Sequence, residues 1–180
     1  RPTMRALITT DGSPLSERAL AAMAPWVRRW DAEVILLTVV DPRESHEALA
    51  NSGRPVAPPG SLSSTPSLGG VPIGPATTLA ADRGQAIEAA RAAAEDGLRD
   101  LAGRHLPALD VQVRAAFSTD AAEAIHQFAQ DRAVDFIVLS TRGRSGLGHA
   151  LFGSVSGAVV RCSTIPVIVV GPECELPGAE

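Results

Sequence analysis

The chain has 180 residues, room for one domain with a substantial core. It is 45% hydrophobic and 20% charged, with a net charge of −4. That balance is ordinary for a globular protein and speaks against non-specific nucleic-acid binding. No apolar run approaches the roughly 20 residues that a membrane-spanning helix needs.

Further classes fall away on residue types. All 16 basic residues are Arg. Without Lys there is no Walker-type phosphate loop and no Schiff-base chemistry. Cys162 and Cys174 form no CxxC pattern, and no Cys/His cluster has zinc spacing. A reducing, cytoplasmic setting is the simplest context for them. The apolar run after Arg5 is cut short by Asp11-Gly12, unlike a signal-peptide core.

In chain order, Arg5 to Thr10 reads as a short buried strand ending at Asp11-Gly12. Ser13 then reads as an N-cap with Pro14 at the first helical position. Leu20, Met23, Ala24, Val27 and Trp30 follow at helical spacing, with the tryptophans read as packing residues. Glu33 to Val40 is a near-continuous apolar run, as expected for a parallel strand covered on both faces. Residues 51–78 differ in kind: 16 of the 28 are Gly, Pro or Ser, and only Arg54 is charged. This composition predicts a loop without helix or strand, serving either as a lid or partner-binding insertion or as a tolerated surface insertion.

A helical pattern resumes at about Leu79 and runs to about Arg104, with Ile87, Ala90, Ala94, Leu98 and Leu101 on one face. Val111 to Phe117 alternates, which predicts a strand at a sheet edge. Ser118-Thr119-Asp120 reads as the cap of the next helix, with Ile125, Phe128 and Ala129 inward. Phe136 to Thr141 is a fourth strand, Val155 to Cys162 a last helix, and Pro166 to Val170 a fifth strand. Cys162 is expected to be buried, and His46, His105 and His126 to lie at the surface. The expected organisation is one domain over 1–174 carrying the 51–78 insertion, then a flexible tail over 175–180. Strands alternating with helices predict an α/β fold: an open, parallel, five-stranded doubly wound sheet with helices on both faces. Ligands of such sheets bind beyond the carboxyl ends of the strands, where strand order reverses.

Two strand ends carry unusual loops. One is Thr9-Thr10-Asp11-Gly12-Ser13. The other runs from Ser140 through Arg142, Gly143 and Arg144 to Gly153-Ser154-Val155-Ser156, where a helix starts. Glycines allow close backbone approach, first-turn amides lack partners, and serine hydroxyls and arginines add donors and charge. That combination suits a phosphate cradle; the plain alternative is a strand–loop–helix connection whose glycines only make turns. His149 reads as a solvated loop residue. No acid–base pair or activated nucleophile stands out, so at most slow hydrolysis is expected.

These residues carry a family resemblance. ATP-binding universal stress proteins have G-x-x-G, nine residues, then G-[ST]. Here Ser140-Thr141-Arg142-Gly143, the nine residues 144–152 and Gly153-Ser154 keep that spacing, with Ser140 in place of the first Gly. TTDGS at Thr9–Ser13, LLTVVDP at Leu36–Pro42 and IPVIVVGP at Ile165–Pro172 resemble the family's strand ends. The resemblance covers the chain apart from the insertion and the tail. It implies a Rossmann-like fold of the adenine nucleotide alpha hydrolase type and a regulatory protein that binds ATP with Mg²⁺ (or Mn²⁺).

Position by position, the resemblance puts the backbone of Val39 at adenine. Thr10 and Asp11 lie near ribose and phosphates, with Asp11 near the metal. Ser140 sits beside the ligand, Gly143 and Gly153 flank the triphosphate, and Ser154, Val155 and Ser156 act as donors. Arg142 and Arg144 add charge by position, outside the family motif. The resemblance also implies a homodimer through the strand at 166–170. The alternative is a universal stress protein that has lost nucleotide binding and acts as a dimeric interaction module.

Overall fold

A computed structural model describes residues 4–43, 77–141, 153–172 and 174, with side chains in the second helix described from Gly84 onward. Five strands are present among these residues: β1 (Arg5–Thr9), β2 (Glu33–Val40), β3 (Val111–Phe117), β4 (Phe136–Ser140) and β5 (Val167–Val170). Four helices with both ends described lie between them: α1 (Pro14–Arg29), α2 (Thr77–His105), α3 (Ala121–Asp131) and α4 (Ser154–Cys162). All pairings are parallel and the order is β3-β2-β1-β4-β5. The chain therefore winds outward from β1 to β3, returns to pair β4 with β1, and winds outward again to β5. The reversal between β1 and β4 is the switch point of a doubly wound sheet.

Side-chain alternation buries both faces of the strands. Ala6, Ile8, Val34, Leu36, Val113, Phe136 and Val138 face α1 and α2, meeting Leu20, Met23, Val27, Leu98 and Leu101. Leu7, Ile35, Leu37, Ile137 and Leu139 face the other way, onto Ile125 and Ala129 of α3 and Val159 of α4. Fully burying each such side chain contributes about 1.5–3 kcal/mol. Trp30 packs edge-on to Phe136 with ring centroids 5.4 Å apart, and Trp26 packs against Trp30 in a tilted arrangement at 5.6 Å. Both tryptophans are thus packing residues.

Local signals place the helix starts. Ser13 has extended φ/ψ, and its Oγ accepts from the Ser16 amide at 3.3 Å, with Pro14 at the first helical position. Asp120 caps α3 through the Glu123 amide at 3.1 Å.

Some boundaries and burials differ from the sequence reading. Residues 77 and 78 belong to α2 and not to the insertion; 51–76 lie outside the described residues, as does the tail at 175–180. Gly153 caps α4, so that helix starts one residue earlier than expected, while β4 stops at Ser140 and β5 starts at Val167. Ile87 is 41% exposed and does not join the inward face with Leu98 and Leu101. At about 1.5 Å per residue α2 is far longer than the strands it covers, so its earlier turns run past the sheet. Cys162 is exposed, not buried: α4 ends there, and Val160, Arg161 and Cys162 all face solvent. His105 and His126 are half-buried, and His46 falls outside the described residues.

Candidate functional site

A cleft of about 270 Å³ opens at the switch point, between the carboxyl ends of β1, β2 and β4 and the starts of α3 and α4. Its inner wall is apolar: Leu37, Val39, Leu139, Ala121 and Ile125. Its rim is polar: Thr9, Thr10, Asp11 and Ser140 on one side and Ser154 on the other, with Ser156 buried beneath it. The size is just below the usual small-molecule range. Eight of the expected site residues share this cleft: Thr10, Asp11, Val39, Ser140, Gly153, Ser154, Val155 and Ser156. Arg142, Gly143 and Arg144 lie outside the described residues, as does His149.

The apolar wall is what sequence reading missed. Leu37 shares a face with Val39 two residues on, and Ala121 and Ile125 sit one helical turn apart on α3, so the periods alone bring them together. Nothing in those residues marks them as pocket rather than core.

The three helix starts near the sheet's carboxyl edge differ in one respect. Side-chain oxygens cap α1 and α3, whereas α4 opens with Gly153 and makes no side-chain cap bond. Its first-turn amides thus keep the unpaired donors and partial positive charge that attract anions. Two groups of this segment are already engaged by the protein itself. The Gly153 amide donates to Thr141 O at 2.6 Å, so it is already committed. The Ser156 hydroxyl donates to the same oxygen at 2.9 Å and is buried, so it anchors the turn instead of reaching into the cleft. The donors left for a ligand are the amides after Gly153 and the exposed Ser154 hydroxyl.

On the opposite rim, Thr10 is 6% exposed and belongs to a chain of hydroxyls. Ser16 Oγ donates to Ser13 O at 2.9 Å, which turns its lone pairs toward Thr10 Oγ1 at 2.8 Å. Thr10 Oγ1 in turn accepts the Gly12 amide at 3.1 Å. Its hydroxyl is thereby spent on holding the β1–α1 loop, with Gly12 in the left-handed region at φ +73°. Asp11 Oδ1 accepts from the Ser13 amide at 3.0 Å, a turn-forming bond that orients its carboxylate.

Strand rhythm gives Val39 its position. Thr10 N donates to Leu37 O, and Ser118 N donates to Val40 O. Odd-numbered residues of β2 therefore turn their peptide groups toward β1, and Val39 continues that set. The β1 chain has left the sheet by then: the Gly12 amide, next in line, goes to Thr10 Oγ1. Among the described residues, the Val39 N–H and C=O face the cleft with no strand beside them.

The described cleft residues carry one charged group, Asp11. Among the described residues no group of three or more His, Cys, Asp or Glu could hold a metal ion. A divalent cation here would take most of its ligands from phosphate oxygens, as Mg²⁺ commonly does.

Fold and cleft together define an α/β protein of the doubly wound class, with its crevice at the switch point. The profile of the universal stress protein family matches residues 63–171, more than half of the chain, and the chain belongs to that family. It is 28% identical over 167 residues to the universal stress protein YxiE of Bacillus subtilis (strain 168), covering 91% of this chain and 96% of YxiE. Among solved structures, the hypothetical protein MJ0577 superposes with a TM-score of 0.59 at 22% identity, covering 96% of this chain and 98% of the other. A universal stress protein in complex with cAMP superposes at 0.52 with 19% identity, covering 95% and 98%. These likenesses establish the five-stranded Rossmann-like fold. Among the described residues no helix is long and apolar enough to cross a membrane.

Proposed function

We propose that this universal stress protein binds an adenine nucleotide, ATP with Mg²⁺ (or Mn²⁺), in the switch-point cleft and acts as a nucleotide-dependent regulator. The observation that carries the reading is the pairing of two backbone features across one cleft. The Val39 N–H and C=O, which have no backbone partner among the described residues, offer one donor and one acceptor, which suits the hydrogen-bonding edge of adenine. The uncapped start of α4, led by Gly153, offers amides to phosphate. The apolar wall of Leu37, Leu139 and Ile125 suits a planar base between them. Gly143 completes the motif in sequence, with Arg142 and Arg144 beside it as charge outside the motif, and the fold is one on which a relative holds cAMP.

Thr10 positions the loop. Asp11 faces the phosphate side, where a metal ion carried by the nucleotide offsets its charge. Ser140 adds a side chain where the motif's first Gly has none. With no activated nucleophile in the cleft, hydrolysis is slow at most, and the output runs through conformation and partners. We also read β5 as the pairing edge of a cytoplasmic homodimer. A second reading, an interaction module without nucleotide, follows if Ser140 closes the cleft.

Calorimetry with MgATP and analysis of nucleotide carried through purification separate the two. Bound nucleotide or a saturable heat supports the proposal. An empty protein with no heat refutes it. In Gly153→Val, a branched side chain enters the phosphate side, and ATP affinity is expected to fall about tenfold or more, equivalent to ~1.4 kcal/mol, with the circular dichroism spectrum unchanged. Unaltered affinity in that variant sinks the cradle.

A further inference from the structure

The geometry points to a division of labour between the two edges of the sheet: arginines close β3 to strand addition, so that pairing with a second copy is confined to β5. Ser118 N donates to Val40 O, so the even-numbered residues of β3 turn their peptide groups toward β2. Val113, Ala115 and Phe117 therefore present theirs outward, along the free edge. Two of those outward carbonyls are covered. Arg114 Nη1 donates to Val113 O at 2.7 Å, and Arg91 Nη1 donates to Ala115 O at 3.2 Å.

The two guanidinium groups arrive from opposite faces. Arg91 descends from α2, with its guanidinium 5.4 Å from the centre of the Phe117 ring and 3.7 Å from Glu88. Arg114 alternates with Val113, which faces α1 and α2, and so wraps the edge from the α3 side. An incoming strand would have to displace both from their carbonyls. A second copy of this edge would also bring four like charges together.

Among the described residues the opposite edge has no such cover. Thr141 N donates to Val170 O and Ile137 N to Pro166 O, so Val167 and Val169 turn outward. Among the described residues no side chain hydrogen-bonds to their peptide groups, and both side chains are half-exposed apolar groups. One open edge and one closed edge give a closed pair; two open edges would give a growing sheet.

The test measures mass by light scattering on the full chain, from micromolar to near-millimolar concentration. The variants are Arg114→Ala and the double Arg91→Ala/Arg114→Ala, each made in the parent and in Val169→Pro, which puts a proline at an outward position of β5. The parent is expected to stop at a dimer. The double variant is expected to form larger species whose mass grows with concentration, and in the Val169→Pro background to self-associate where Val169→Pro alone does not. If Val169→Pro leaves the parent's mass unchanged, the β5 dimer reading and the confinement of pairing to β5 both fail, and the arginine comparison then tests the closure of β3 by itself. If the arginine variants, folded by circular dichroism, keep the mass of their parents at the highest concentration, the proposal is overturned. Should loss of Arg91 unfold the chain, Arg114→Ala decides alone by the same criterion, since its guanidinium bond is to its own strand.

Discussion

Ser156 shows how a residue that reads as a ligand donor acquires another task. Its hydroxyl and the Gly153 amide converge on Thr141 O, tying the first turn of α4 to the chain leaving β4. Thr141 N in turn donates to Val170 O, so one residue joins β5 to the helix start. Removing the hydroxyl in Ser156→Ala deletes a bond from a buried group, which typically costs about 1 kcal/mol. Urea unfolding is expected to show that loss, while ATP affinity falls less than in Gly153→Val. A loss of affinity equal to that of Gly153→Val, without loss of stability, would return Ser156 to the ligand. Thr10 follows the same logic, since its hydroxyl serves Ser16 and Gly12 from a buried position.

Among the helices, the caps explain which end is open. Ser13 and Asp120 both spend a side-chain oxygen on a first-turn amide, and alanine at such a cap costs about 1 kcal/mol. Ser13→Ala is expected to cost more than Asp120→Ala. Ser13 Oγ also lies 3.3 Å from Ser16 Oγ, at the head of the hydroxyl chain that holds the β1–α1 loop, whereas the Asp120 cap serves α3 alone. Comparing the two variants by urea denaturation checks the order, and equal losses would detach Ser13 from that network. The Ser13 and Asp120 caps are legible directly, because Ser-Pro and Ser-Thr-Asp before periodic apolar residues are local signals. The open start of α4 is the same rule in negative: a Gly where α1 and α3 have Ser and Asp.

For the molecule as a whole, the parallel sheet sets both the cleft and the mode of assembly. The strand order reverses between β1 and β4, and the cleft lies at the carboxyl ends of those strands. Assembly is expected through β5. Val169→Pro should shift the mass from dimer to monomer while leaving the β4–β5 ladder intact, because Val169 turns its peptide away from β4. Light scattering reads this directly, and a dimer that survives the substitution moves the interface elsewhere. The Glu17–Arg104 ion pair at 3.4 Å, with His105 Nε2 3.5 Å from the same carboxylate, ties α2 to the first turn of α1. Its members are partly exposed, so it contributes little beyond alignment.

The strand and helix order, both faces of β1 and β2, the helix caps and the Gly-Ser spacing were all legible in the residues. Each depends on contacts a few positions apart or on a strict period. The edge position of β3 was legible too, because a strand covered less fully alternates. The tertiary structure alone decided which hydroxyls and amides were already taken, that Ile87 and Cys162 face solvent, and that Leu37, Ala121, Ile125 and Leu139 wall a cleft. Those outcomes turn on where one element ends relative to another and on partners as distant as Thr141 and Ser156 or Arg91 and Ala115. A linear pattern records which groups a residue carries, but the partner that uses them is set only when the strands and helices close around it.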